Sequence, residues 1–118
     1  MNFAAGSQLA QARPSGTSAV NAFTATLITE ITKIVVSNTT ASAAAYSIYH
    51  DDDGSTFDQT TSLFYEISLA ANSTVVIDST VGAGFHMSPS GQIGIKTGTG
   101  SALTFTIYGV TQHTGEKL

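Results

Sequence analysis

The chain has 118 residues, 42% hydrophobic and only 10% charged, with a formal net charge of −4 and no cysteine or tryptophan. That length makes one domain with a single core. Disulfides and thiolate metal sites are excluded, and four cations, Arg13, Lys33, Lys96 and Lys117, are too few and too scattered for a phosphate-binding surface, so no nucleic acid partner is expected. Serine and threonine take the place of the missing charge. They suit strands and leave little repulsion between copies, so self-association is expected.

Met1 to Gly16 contains Pro14, glycines and glutamines without a helical or strand period, and reads as an extended N-terminal arm. It lacks a basic segment followed by an apolar run, so no secretory signal is expected and synthesis in a cytoplasm is. No stretch approaches the roughly 18 apolar residues of a membrane helix, and no membrane partner is expected. Thr17 to Thr24 is a first strand with Ala19 or Val20 and Phe23 inward. Leu27 to Ser37 follows, with Ile28 and Ile34 to Val36 carrying the apolar load, Glu30, Thr32 and Lys33 in solvent, and a change of face or a bulge near Lys33 to reconcile the two halves.

Asn38 to Ala43 is a turn in which the asparagine side chain can bond its own backbone two residues on. Ala44 to His50 then returns as a strand, expected to pair with the preceding one as a hairpin. Asp51 to Thr56 is a polar loop with the turn dipeptide Asp53-Gly54. Leu63, Tyr65, Ile67 and Leu69 alternate with Phe64, Glu66 and Ser68 in a half-buried strand. Short strands follow at Thr74 to Asp78 around Val75 and Ile77, at Phe85 to Met87, and at Gln92 to Thr97 with Ile93 and Ile95 on one face. Between those isoleucines Gly94 marks close packing or a bulge. Ser88-Pro89-Ser90-Gly91 is a turn. Ala102 to Val110 is the last strand, with Leu103, Phe105 and Ile107 inward and Thr104, Thr106 and Tyr108 outward, before a tail from 111 to 118.

Seven to eight short strands with turn signals and no helix imply an all-β, antiparallel β-sandwich over 17–110. The cysteines and tryptophan of an immunoglobulin domain are absent, so a jelly roll is the expected form.

Chemistry is sparse. The acidic loop fails as an EF-hand, because the register set by Gly54 puts Tyr49 first and Thr60 last. A different calcium site on Asp51, Asp53 and Asp58 stays open against a solvated turn. His50, His86 and His113 lack metal-ligand spacing. There is no G-x-S-x-G elbow, and the pairs Gly82-x-Gly84 and Gly98-x-Gly100 lack a phosphate loop's context. Asn38-Thr39-Thr40 and Asn72-Ser73-Thr74 match the glycosylation sequon but read as turns. No catalytic residue, metal ligand or cofactor is therefore expected, and the chain reads as a non-enzyme. Some of Tyr49, Phe64 and Tyr108 should project outward, as sugar platforms or protein contacts.

The runs Tyr49-His50-Asp51-Asp52-Asp53-Gly54, Leu69-Ala70-Ala71-Asn72-Ser73-Thr74 and Leu103-Thr104-Phe105-Thr106-Ile107-Tyr108-Gly109 resemble small virion proteins of tailed bacteriophages, and the similarity extends over about Leu9 to Gly109. That resemblance implies a virion location and a capsid decoration (cement) role, with the major capsid protein or other virion proteins as partners. Resembling examples sit as trimers or at subunit junctions and reach out with an extended arm, so a homo-oligomer is implied. The interface candidates are Leu9, Arg13 and Pro14 of the arm together with Tyr49, Phe64 and Tyr108. A tail or fibre component, with carbohydrate bound by exposed tyrosines, is the alternative.

Overall fold

The computed structural model describes residues 6–78 and 85–112. Among these residues there are nine strands: β1 Ser7–Ala12, β2 Val20–Thr24, β3 Thr29–Asn38, β4 Ala44–Asp51, β5 Ser62–Leu69, β6 Thr74–Asp78, β7 Phe85–Met87, β8 Gln92–Thr97 and β9 Leu103–Thr111. One sheet runs β1-β9-β3-β6 with β7 also on β3, and the other runs β2-β8-β4-β5. Strand β6 pairs with Lys33 to Ser37 and β7 with Thr29 to Ile31, so the two lie end to end as halves of one edge strand.

Counted that way the fold has eight strands, and their pairing is nested. Strand β1 pairs β9, β2 pairs β8, β3 pairs β6 and β7, and β4 pairs β5, all antiparallel, as in one long hairpin. Rolling that hairpin up adds the β9–β3 and β8–β4 pairs. This is the jelly-roll layout expected from the sequence. The core lies between the sheets, with Ile31, Ile34, Val36, Leu103, Phe105 and Ile107 from one and Tyr46, Ile48, Ile93 and Ile95 from the other, all at most 4% exposed.

The turn after Asn38 does not make a hairpin. Strands β3 and β4 lie in opposite sheets, and the connection 39–43 carries the chain across the core edge. The same alternation serves either arrangement, because each strand needs only one apolar face and both faces here meet in one core.

The arm is also corrected. From Ser7 to Ala12 it is an edge strand hydrogen-bonded to β9, and Leu9, Ala10 and Ala12 pack on the core. The sandwich therefore begins near Ser7 rather than Thr17. A short strand of glutamine and alanine has too weak an alternation to be read locally, and pairing with β9 supplies its order. Gln112 still donates its N–H to the Ile28 carbonyl at 2.9 Å. The tail residues 113–118 with His113, residues 79–84 and Met1 to Ala5 lie outside the described residues.

Within strands, the bulge expected near Lys33 is present as a register shift between Ile31 and Lys33. Thr29 rather than Ile28 takes the inward place in phase with Ile31, leaving Ile28 54% exposed. In β5 the expected period breaks. Tyr46 lies opposite Ile67 and Ile48 opposite Phe64, so β5 uses three residues where β4 uses two. Glu66 absorbs the extra residue at φ 51° while its N–H donates to the Ser47 hydroxyl at 2.8 Å. Phe64 thereby turns inward beside Tyr46, with ring centroids 6.4 Å apart. Leu63 and Ile67, expected in the core, are left 41% and 43% exposed on this edge strand.

Candidate functional site

The acidic loop follows directly from β4. Asp51, almost buried at the strand end, accepts the Thr56 N–H at 2.8 Å and the Asp53 N–H at 3.3 Å. The Thr56 bond foremost holds its carboxyl below the usual carboxylate range, whereas the hydrogen bond and charge of Asp51 push Asp53 up. Asp58 caps the short 3-10 turn Gln59–Thr61, accepting the Thr60 N–H at 2.8 Å, while the Thr61 hydroxyl accepts the Asp58 N–H at 3.2 Å. The Asp51 and Asp58 carboxylates are thus turned onto the backbone of their own loop. Among the described residues, no three histidine, aspartate or glutamate side chains form a group that could hold a metal ion, so the set Asp51, Asp53 and Asp58 does not assemble.

Asp52 reaches farther. Its carboxylate accepts the Ser88 N–H at 2.9 Å and stands 3.1 Å from His50 Nε2, tying the loop to the β7–β8 turn. That turn is closed by the Gly91 N–H to the Ser88 carbonyl at 2.9 Å. The Ser88 amide first, then the His50 bond and charge, lower the Asp52 pKa. A carboxyl whose folded pKa lies below its unfolded value contributes stability that is present above the unfolded value, near ~3.9, and lost as pH falls through the folded one. We expect Asp52→Asn to lower the thermal midpoint at pH 7 by roughly 3 °C, with the difference from wild type shrinking as pH falls below about 4. Thermal melts of both proteins across that range would show it, and equal midpoints at pH 7 would remove the tie from the account. His86 has a different partner, Glu30, at 4.0 Å, so the two histidines do not share a site.

The interface candidates are placed as follows. Leu9 packs half-buried on the core, Pro14 is buried, and its carbonyl accepts the Ser101 N–H at 2.8 Å. Arg13 is exposed, yet its guanidinium donates to the Ser101 carbonyl at 3.0 Å and to the Thr39 and Thr104 hydroxyls at 3.3 and 3.4 Å. The arm residues thus grip their own sandwich. Tyr49 is 1% exposed, so it is not one of the exposed aromatics expected among Tyr49, Phe64 and Tyr108. It does point away from the core, but the Phe57 ring covers it at 6.0 Å between centroids. Phe64 is half-buried against the core. Tyr108 is half-buried on the outer face of its sheet, with Lys33 Nζ 5.9 Å from its ring centre.

A groove of about 580 Å³ opens on the outer face of the β2-β8-β4-β5 sheet, between the segment 17–19, the loop 57–60 and the side chains of Tyr65 and Lys96. Lys96 Nζ stands 6.0 Å from the Tyr65 ring centre and 3.6 Å from the Glu66 carboxylate. Phe57 escapes a sequence reading because its loop has no period. The signal for it was Gly94: a β-carbon there would stand 2.5 Å from the Phe57 ring, so the close packing expected at this glycine is real and Phe57 is its cause.

No protein family matches the sequence, and no match was found among curated proteins. A solved structure of infectious bursal disease virus, Gx strain, is similar with a TM-score of 0.36 and 15% sequence identity, covering 88% of this chain and 36% of that one. Among the described residues no helix is long and apolar enough to cross a membrane.

Proposed function

We propose that the protein is a non-enzymatic structural component of a virion, a decoration (cement) protein that self-associates and binds a head lattice through its sheet edges. The observation that carries this reading is the state of those edges. Strands β1, β2, β5, β6 and β7 contain only two carboxylates, Glu66 and Asp78, and no lysine, arginine or proline. Sheet proteins that stay apart guard their edges with such residues. Here Val20, Leu63, Ile67 and Val76 stand 41–51% exposed on edge strands instead. An edge of that kind is suited to being covered by a neighbour. The sequence resemblance to small phage virion proteins supports the same role.

Cementing would add buried contacts at junctions that lattice assembly leaves weakly held. A protein that binds the mature lattice and not its precursor stabilises it by mass action, by about 2.7 kcal/mol per site at a free concentration one hundred times Kd. The purified protein should co-sediment with mature heads of the phage that encodes it. Ile67→Lys and Val76→Lys, exposed changes that leave the core intact, should each cut occupancy by roughly tenfold. Full occupancy by both variants, or copies found on tails alone, overturns the proposal.

A further inference from the structure

The groove beside Phe57 has a built platform. The Cγ and Cδ1 atoms of Phe57 stand 2.5 Å, and Cδ2 2.8 Å, from the point a β-carbon of Gly94 would occupy, so the ring lies face-down on the glycine. Tyr49 supports it from beside. Phe57 is half-buried and lines the groove, so with one face on Gly94 its other face and rim are what it can offer there. Around it stand hydrogen-bonding side chains from two segments, Ser18 and Thr17 on one bank and Gln59 and Thr60 on the other. Charge at the site is balanced locally: Lys96 is held by Glu66, and Asp58 is occupied by Thr60.

Those features select a ligand class. An anion would find no unpaired cation in the groove, and a nucleic acid base would bring phosphates to a chain of net charge −4. A purely apolar ligand would bury the hydroxyls and the Gln59 amide without partners. A pyranose ring has one apolar C–H face and a rim of hydroxyls that both donate and accept. It stacks on an aromatic face and satisfies a hydroxyl and amide rim together. The volume lies within the range of small-ligand sites, with room for a short oligosaccharide.

We propose that this groove binds a neutral hexopyranose glycan, one sugar ring stacked on the outward face of Phe57 and its hydroxyls held by Gln59, Thr60 and Ser18. The site differs from the tyrosine platform expected from sequence, since Tyr49 is a buried support beside Phe57 and Tyr108 is on the other sheet. The groove shares strand β5 through Tyr65, but Ile67 and Val76, at which lattice binding is tested, do not line it, so either reading can fail without the other.

The test is a backbone-amide NMR titration of the full chain with maltohexaose, cellohexaose and chitohexaose. At least one should shift the resonances of residues 57–60 and Lys96, with Kd on the order of 1 mM. Phe57→Ala should weaken binding about tenfold or more, Phe57→Tyr should retain it, and Gln59→Ala should weaken it roughly threefold. Tyr108→Ala should leave it unchanged. If Phe57→Ala fails to fold, Gln59→Ala decides, because Gln59 is exposed and no hydrogen bond of its side chain is lost on truncation. No shift at the groove with any of the three sugars at about 20 mM overturns the proposal. So does an unchanged affinity in Gln59→Ala, and so do groove shifts that grow with protein concentration alone, which would make the groove a contact between copies.

Discussion

Replacing Asn38 by alanine should cost about 3 kcal/mol of stability and lower the thermal midpoint by roughly 10 °C. Asn38 is 1% exposed at the end of β3. Its Nδ2 donates to the carbonyls of Ser42, Leu69 and Ala70 at 2.9, 3.1 and 3.2 Å, and its Oδ1 accepts from the N–H and hydroxyl of Thr40 at 3.0 and 2.7 Å. One side chain therefore joins the β3–β4 connection to the β5–β6 connection. The backbone doubles that join through Asn38 N–H to the Ser73 carbonyl and Asn72 N–H to the Thr40 carbonyl, at 2.8 and 3.1 Å. Alanine leaves the three carbonyls without this donor, and a polar group buried unpaired costs on the order of 1–3 kcal/mol. Asn38→Asp should be at least as damaging, since a carboxylate can keep the Thr40 bonds but can donate to none of the three carbonyls. Urea unfolding of the two variants measures both. A loss below about 1 kcal/mol in Asn38→Ala would mean that water replaces the amide and that the two connections stand without it.

Deleting residues 1–16 should unfold or aggregate the protein rather than yield a sandwich without an arm. The deletion removes β1 with its ladder to β9, the core contacts of Leu9, Ala10 and Ala12, and the three hydrogen bonds of Arg13. At about 1 kcal/mol net for each hydrogen bond and about 2 for a buried leucine, the loss is on the order of 5 kcal/mol, comparable to the whole stability of a small domain. It would also open β9, a central strand, as a new edge. Circular dichroism melts and the soluble fraction on expression read the outcome directly. A soluble truncated protein with an unchanged midpoint would show that β1 adds nothing to the sandwich and is free to serve a neighbouring subunit. Arg13→Ala, which keeps the strand, should be milder, below the roughly 3 kcal/mol of three full hydrogen bonds because all three are exposed to water.

Much of the strand pattern was legible. Strands β6, β7 and β8 fall where alternation and turn residues put them, and Leu103, Phe105 and Ile107 face inward in β9 as their spacing requires. The irregularity near Lys33 was legible too, as a change of face or a bulge needed between the apolar halves at Ile28 and at Ile34 to Val36. The errors have a common origin. In β5 the clean period of Leu63, Tyr65, Ile67 and Leu69 was overruled by a bulge at Glu66 whose position depends on Ser47 in the neighbouring strand. At Tyr49 alternation correctly gave the outer face, while burial came from Phe57, eight positions along the chain and held in place by Gly94 of β8. The candidate groove was illegible for the same reason: its walls come from segments that meet only through the sheet.

By itself the amino-acid sequence determined an all-β sandwich without disulfides, the turns at Asn38 and Pro89, and the failure of the acidic loop as an EF-hand, because each follows from local spacing and side-chain chemistry. Only the tertiary structure decided that β3 and β4 face each other across the core, that the N-terminal segment is a strand, and that Phe57 covers Tyr49. Those are questions of which segment lies beside which, and a two-residue period carries no information about a strand's partner.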